Sequence, residues 1–248
     1  MDKMSSNIRI GTSGIVVPGK QQDYPEEHKG KSRLQYYSNL YNTVEINSTF
    51  HKVPLARTLV KWEGEVHDDF IFTLKLWRGI THNKKLAFQL PDIDLFMGVA
   101  EHIQKKGCLL IQFPASINYN YANNVEEILE RIKSHKTKWQ LCLEVRHSSW
   151  YQEHFYEMLN KYSASLVFHD IAASKPPFVS LESDTIYFRY HGPEGNYRGS
   201  YSNHFLEQQA DYMKEWLKKG KMVYAYFNNT MGSALENSHY LQQLLSLS

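Results

Sequence analysis

The chain has 248 residues, 42% of them hydrophobic and 22% charged, with a net charge of +2 and two cysteines. That balance lacks the concentrated basic character of a nucleic-acid binder, two thiols cannot make a disulfide framework, and no apolar run approaches the ~18 residues of a membrane span. The polar start over residues 1–7 has no apolar signal core, so the expectation is a protein retained in a reducing cytoplasm.

Eight short apolar runs recur along the chain, each carrying a polar or charged residue at or just before its end. The first, 8–13, is followed by a connection whose early part carries Pro18, Gly19, Pro25 and Gly30 and reads as irregular loop. Ser32 can then cap a helix in which Leu34, Tyr37, Leu40 and Tyr41 recur at helical spacing. The second run, 43–48, precedes Pro54 and a helix over 56–66. The third, 70–76, leads into a loop at 78–85 and a helix from about 92, with Ile93, Phe96, Val99, Ala100 and Ile103 on one stripe. Runs at 108–113 and 140–145 are each followed by a helix, over 123–135 and 151–162. After the run at 164–169, the connection 172–183 contains Pro176 and Pro177, which oppose a helix. The seventh run, 185–191, is followed by the loop 192–202 and a helix over 205–218. The eighth, 222–228, leads to a last amphipathic segment at 234–245.

Short apolar strands alternating with helices predict parallel β-α units, and eight of them predict an α/β fold: a single (β/α)8 TIM-type barrel over 1–248. One crossover helix is expected to be missing or shortened after strand 6. Cys108 and Cys142 fall inside strands, where free cysteine behaves as a small apolar residue.

Catalytic groups of such barrels sit where strands end. Side chains two apart share a face of a strand, so Glu45 pairs with Asn47, Glu144 with Arg146, and Arg189 with His191. Lys75, Gln112, Asn228 and Asn229 close three further runs. Their convergence would make a polar barrel mouth. Arginines there could hold an anion through forked donors while a carboxylate or histidine moves a proton. Burial raises a carboxylate pKa and a neighbouring guanidinium lowers it, so the sequence leaves open which acid stays ionised. Gly192 and Pro193 predict a turn against which a ligand could approach the backbone. Trp77, Tyr197 and Tyr201 lie beyond strand ends, where they could form a stacking wall.

Several strings also resemble one family. They are Ile10-Gly11-Thr12-Ser13-Gly14, Tyr36-Tyr37, the stretch from Asn42 to Phe50, Lys75 with Thr81-His82, and Gln112-Phe113-Pro114. Glu144-Val145-Arg146-His147 with Ser149-Trp150, Arg189-Tyr190-His191-Gly192, and Phe227-Asn228-Asn229 with Gly232, Ala234 and Asn237 complete the set. Together they resemble the YecE-like proteins, also called domain of unknown function seventy-two, over nearly the whole chain. The chain departs from that pattern at Ile15, where a tryptophan is usual, and at His51, where a tyrosine is common. The resemblance implies a TIM-type barrel with a polar site at the strand C-termini and no settled activity.

The functional expectation is an enzyme acting on a small phosphate- or carboxylate-bearing substrate by acid/base catalysis without a cofactor. Glu144, His191 and Glu45 are the candidate catalytic groups. Arg146, Arg189, Lys75, Gln112, Asn47, Asn228 and Asn229 are the candidates for binding substrate. One alternative is a metal-assisted phosphoesterase, including one acting on nucleic acid, with Glu45, Glu144, Asp170 and His191 around a divalent ion. Another is a non-catalytic ligand-binding or interaction protein. No membrane partner is expected, and the sequence leaves the oligomeric state open.

Overall fold

A computed structural model describes residues 7–179 and 181–246; the polar start at 1–6 lies outside them. The strands are β1 (Ile8–Thr12), β2 (Thr43–Ile46), β3 (Ile71–Lys75), β4 (Lys106–Gln112), β5 (Gln140–Glu144), β6 (Ser165–His169), β7 (Thr185–Tyr190) and β8 (Met222–Phe227). All neighbours are parallel, and their order runs β1-β8-β7-β6-β5-β4-β3-β2. Seven longer helices surround them: α1 (Arg33–Ser38), α2 (Ala56–Gly64), α3 (Leu90–Ala100), α4 (Ala122–Ser134), α5 (Glu153–Lys161), α6 (Asn203–Lys218) and α7 (Ala234–Ser246). Among the described residues between β6 and β7, the 3-10 turn Ala172–Ser174 is the only helical element, as Pro176 and Pro177 predict.

Alternation along each strand sorts the apolar residues into two shells. Inward positions Cys108, Leu110, Cys142, Val167, Tyr187, Tyr224 and Tyr226 pack inside the barrel. Outward positions such as Ile10, Val44, Phe72, Leu109, Leu143, Phe168 and Val223 pack against the helices. Both cysteines are buried and free. The outer face of β6 and β7 is covered differently: Phe178 lies tilted against Phe168 and Tyr212 around a cavity of about 270 Å³.

Two short helical turns differ from the predicted loops and strand ends. Strand β2 stops at Ile46, because Asn47 already has φ −82° and ψ −17° and opens the turn Ser48–His51. The Thr49 hydroxyl ties that turn to the Ile46 carbonyl at 2.9 Å and to the Lys75 carbonyl at 2.7 Å. Asn47 therefore leaves the alternation that would pair it with Glu45. The second turn, Arg78–Thr81, lies inside the segment expected to be irregular. There the Asn83 side-chain amide donates to the Gly79 and Ala87 carbonyls, holding the turn closed.

The barrel closes through a side chain. Between β1 and β2 there is one isolated bridge, Ser13 to Glu45, with the Gly14 N–H donating to the Glu45 carbonyl at 2.7 Å. Below it, the Tyr37 hydroxyl from α1 accepts from the Thr12 N–H at 2.9 Å and donates to the Thr43 carbonyl at 3.1 Å. It thereby replaces a ladder bond that the splayed strands cannot make directly. Ser32 positions that helix, since its side chain accepts from the Gln35 N–H while the Gln35 side chain caps the Ser32 N–H. Gly11 leaves room for the seam: a Cβ there would lie 2.5 Å from the Thr43 carbonyl oxygen and 2.9 Å from the Tyr37 hydroxyl. Burial moves the Tyr37 phenol upward, so it stays protonated and keeps a proton to donate.

Replacing Tyr37 with Phe strips the buried Thr12 N–H of its partner. Tyr37→Phe is expected to lose about 1–3 kcal/mol of stability in urea denaturation. An unchanged denaturation midpoint would show that the seam does not depend on that hydroxyl.

Candidate functional site

The site begins with Arg189, the second-to-last residue of β7, which is 2% exposed. Register places it beside His169 of β6 and Tyr226 of β8, all facing inward. Its guanidinium forks onto Glu45 of β2, with Nε at 2.9 Å from Oε2 and Nη2 at 2.7 Å from Oε1. The remaining arm, Nη1, donates to Glu144 Oε2 of β5 at 3.0 Å. Glu45 also accepts from the Ser13 hydroxyl at 2.7 Å and the Tyr187 hydroxyl at 2.5 Å. Arg146 donates to Glu144 Oε1 through Nε and Nη2. One cation thus ties three strands together across the barrel mouth.

Burial by itself would raise the pKa of both glutamates. For Glu45, Arg189 outweighs burial through charge and hydrogen bonds, and the net shift is downward. Glu144 falls well below the usual carboxylate range despite its burial, because Arg146 and Arg189 both lie against it. Both acids are therefore carboxylates at neutral pH. They are also fully buried, with their oxygens occupied.

His191 follows β7 and is equally buried. Its Nδ1 lies 3.0 Å from Asp170 Oδ1, and its backbone N–H donates to the same oxygen at 2.9 Å. Burial raises the Asp170 pKa, but hydrogen bonds from His191 and Tyr201 outweigh it and leave a carboxylate, so the tautomer that fits carries its proton on Nδ1. His191 Nε2 then accepts from Arg146 Nη2 at 2.9 Å and Arg189 Nη1 at 3.2 Å. Burial, with those two cations, holds the imidazole neutral. His169 is neutral as well, pushed down to about 4 chiefly by burial, and its Nε2 donates to the Val145 carbonyl at 3.1 Å. Sequence parity nominates Glu144, His191 and Glu45 for proton transfer. In the structure all three support the arginines and present no free atom outward.

The open space lies on the other side of Arg146. A cavity of about 490 Å³ is lined by Lys75, Arg78, His82, Gln112, Arg146, Phe50 and Tyr197, together with small residues of the turn after β6. Among the described residues, no carboxylate contributes to that lining. Lys75, which ends β3, is 8% exposed, and its Nζ stands 4.0 Å from the centre of the Phe50 ring. Burial, aided by the charge of Arg189, lowers its pKa to about 7. His82 falls to about 4 through burial and the charges of Lys75 and Arg78. Its Nδ1 meets the Thr81 hydroxyl at 2.8 Å, and its Nε2 lies 3.4 Å from Gln112 Nε2.

Of the predicted binding residues, Arg146, Lys75 and Gln112 line the cavity, while Arg189 sits beneath it. Asn229 is buried elsewhere, its amide donating to the Gly199 carbonyl and Asn237 Oδ1 at 3.0 Å each. That bond pins the loop after β8 to the loop before α6. Asn228 follows β8 with its backbone N–H on the Tyr190 carbonyl at 2.7 Å, and Asn47 keeps a buried Oδ1 without a hydrogen-bond partner. Neither lines the cavity. The turn at Gly192 admits backbone of the chain itself. With φ +96°, a Cβ there would meet the Arg198 carbonyl oxygen at 2.1 Å, so the loop folds back on its own start. Of the three aromatic residues considered for a stacking wall, Tyr197 alone reaches the cavity. The Tyr201 hydroxyl is instead committed to Asp170 and the Gly192 N–H.

Phe50, Arg78 and His82 are among the cavity residues that strand parity misses, because they lie on turns beyond strand ends where no alternation predicts direction. Their signal was proximity, since each follows shortly after Glu45 or Lys75. The oxygen and nitrogen donors considered for a divalent ion, Glu45, Glu144, Asp170 and His191, are each already bonded to arginine, tyrosine or one another. Among the described residues, no group of three or more His, Cys, Asp or Glu is placed to hold a metal, and no helix is long and apolar enough to cross a membrane.

Removing the central cation leaves buried Glu45 without its ion pair and Glu144 with Arg146 alone, so Arg189→Met is expected to lose about 3–5 kcal/mol or to fail to fold; a fully stable variant would refute the hub. Lys75 carries the opposite sign. Its folded pKa of about 7 lies below the ordinary 10.5, so between those values the unfolded chain binds the extra proton and stability rises with pH. Lys75→Met is expected to exceed the parent in stability by about 1–3 kcal/mol near pH 6. That advantage should shrink as pH rises through the window, as followed by urea denaturation at several pH values; a gap independent of pH would contradict the lowered pKa.

Comparisons with known proteins agree with this architecture. The family described as "Protein of unknown function DUF72" matches residues 9–248. UPF0759 protein YunF of Bacillus subtilis (strain 168) is 25% identical over 256 residues, covering 90% of each chain. A DUF72 family protein of Enterococcus faecalis V583 superposes with a TM-score of 0.80 at 22% identity, over 97% of this chain and 96% of that one. One from Thermotoga maritima MSB8 gives 0.75 at 26% identity, over 96% of this chain and 99% of that one. With the family signature spanning the barrel from β1 through α7, the chain belongs to the DUF72 family, a family of unknown function.

Proposed function

We propose that the barrel mouth is the active site of an enzyme acting on a small phosphate- or carboxylate-bearing substrate by acid/base chemistry. One observation carries this reading: Lys75, Arg78 and Arg146 line the same open cavity, which has no carboxylate of its own among the described residues. The nearest acids, Glu45 and Glu144, spend their charge on Arg189 and on the inner side of Arg146. A positive field therefore remains to be met from solution.

The roles follow from which atoms face the space. Arg78 has no ion pair among the described residues, and together with Arg146 it offers forked donors for an anionic group. Gln112 adds an amide for an uncharged oxygen. Lys75, with a pKa of about 7, exchanges protons near neutrality, whereas the depressed and covered carboxylates are poor bases. Glu45, Glu144 and His191 act behind the cavity by holding Arg146 and Arg189 in place. This differs from the sequence expectation that Glu144 and His191 handle the proton, because neither has a free atom on the cavity side.

Thermal-shift titration with inorganic phosphate and a panel of small carboxylates tests the reading. A bound anion at 100 times its Kd should stabilise the fold by roughly 2.7 kcal/mol. Arg78→Ala should weaken that anion about 10- to 100-fold without unfolding the barrel, since Arg78 is exposed and one charge-assisted bond contributes about 1.5–3 kcal/mol. Absence of stabilisation by any anion, or equal affinity in Arg78→Ala, would overturn it. Mass spectrometry of small molecules released from the purified protein would identify the ligand class directly.

A further inference from the structure

We infer that Lys75 is a nucleophilic amine which condenses with the carbonyl group of an oxo-acid or phosphorylated aldehyde or ketone, forming an imine on the chain. The inference rests on the anion-binding reading of the cavity and names the substrate class within it.

The placement of Lys75 supports this in three ways. Its backbone is clamped at both ends by one side chain: Thr49 Oγ1 donates to the Lys75 carbonyl at 2.7 Å and accepts from the Lys75 N–H at 3.2 Å. The side chain therefore leaves the strand from a fixed origin. Its Nζ has no hydrogen bond or ion pair among the described residues, and its nearest aromatic cover is the Phe50 ring at 4.0 Å. A buried lysine normally finds a carboxylate, but both glutamates that face it are already bonded to Arg189. Finally, desolvation together with the charges of Arg189 and Arg146 outweighs the opposing pull of Glu144 and Glu45, which favours the neutral amine with a free lone pair.

The cavity supplies the rest of the reaction. Arg78 and Arg146 can hold the anionic end of the substrate and leave its carbonyl carbon to the amine. The nitrogen lone pair forms the C–N bond, the carbonyl π electrons move to oxygen, and a proton passes from nitrogen to that oxygen to give a carbinolamine. Loss of the hydroxyl with a proton as water gives the imine, so ketone plus amine yields imine plus water with no change in oxidation state. His82 packs edge-on against the same Phe50 ring, at 4.8 Å between centroids, and lines the same cavity as Lys75, so its neutral imidazole is the group assigned to relay the proton.

Reductive trapping on the full chain tests the proposal. The protein is incubated near pH 7 with pyruvate or pyridoxal phosphate as anionic carbonyl probes and sodium cyanoborohydride, then analysed by intact mass and peptide mapping. At that pH about half of an amine with pKa about 7 is neutral, against roughly one in three thousand of an ordinary lysine. Lower basicity returns part of this gain, leaving an expected preference on the order of 100-fold for Lys75 over surface lysines. One adduct per chain at Lys75, slowed about tenfold or more by Arg78→Ala for the anionic probes but not for neutral glyceraldehyde, is the supporting result. Labelling of Lys75 no faster than surface lysines, while phosphate still stabilises the fold in an Arg78-dependent way, overturns the imine and leaves the anion site standing. Fast labelling of Lys75 with no preference for anionic probes and no effect of Arg78→Ala instead overturns the anion site. Because Lys75 is intact in both the parent and Arg78→Ala, failure of a Lys75 variant to fold does not affect the test.

Discussion

A guanidinium that is 2% exposed must be paired or the fold loses several kcal/mol, and Arg189 meets this demand by binding two carboxylates from strands on different sides of the barrel. The cost is shared among many bonds. Glu45 is further satisfied by hydroxyls from Ser13 and Tyr187, and Glu144 by Arg146. Buried ion clusters contribute little net stability compared with hydrocarbon of similar volume, so this one is better understood as a geometric device. It sets where the inward residues of β2, β5 and β7 stop and where polar chemistry begins.

The polarity of the barrel mouth follows from that device. Each carboxylate turns inward to Arg189, and Arg146 is held between Glu144 and a neutral His191 whose orientation is set by Asp170. Acidic charge is consumed below, while cationic groups face upward. Lys75 then lies between a filled ion cluster and open space, without a counterion among the described residues. Its lowered pKa is the electrostatic result of that arrangement, because burial and neighbouring cations act in the same direction and outweigh Glu144 and Glu45.

Beneath this layer the barrel is held by aromatic residues carrying hydroxyl groups. Tyr226 meets Thr43 and Thr73 at 2.6 and 2.8 Å, Tyr187 supports Glu45, and Tyr37 bridges the β1–β2 seam from outside. Each ring fills volume as an apolar residue while its hydroxyl satisfies a buried polar group. The seam and the site are mechanically adjacent, since the Ser13–Glu45 bridge that completes closure uses the same residue that Arg189 binds.

The sequence by itself determined the repeat of strands and helices, the short turn that stands for a helix among the described residues after β6, and the convergence of Glu45, Glu144, Arg146, Arg189 and His191. Strand periodicity and proline chemistry are local, and parity on a strand carries direction for as long as the strand lasts. Only the tertiary structure decided which of these groups face solvent. Asn47 leaves the alternation at a helical turn, Asn229 is drawn into a loop clamp, and Phe50 and Arg78 reach the cavity from turns where no periodicity operates. Exposure and protonation state depend on distances between residues far apart in the chain, such as Glu45 and Arg189. No pattern along the sequence encodes those distances until the barrel closes.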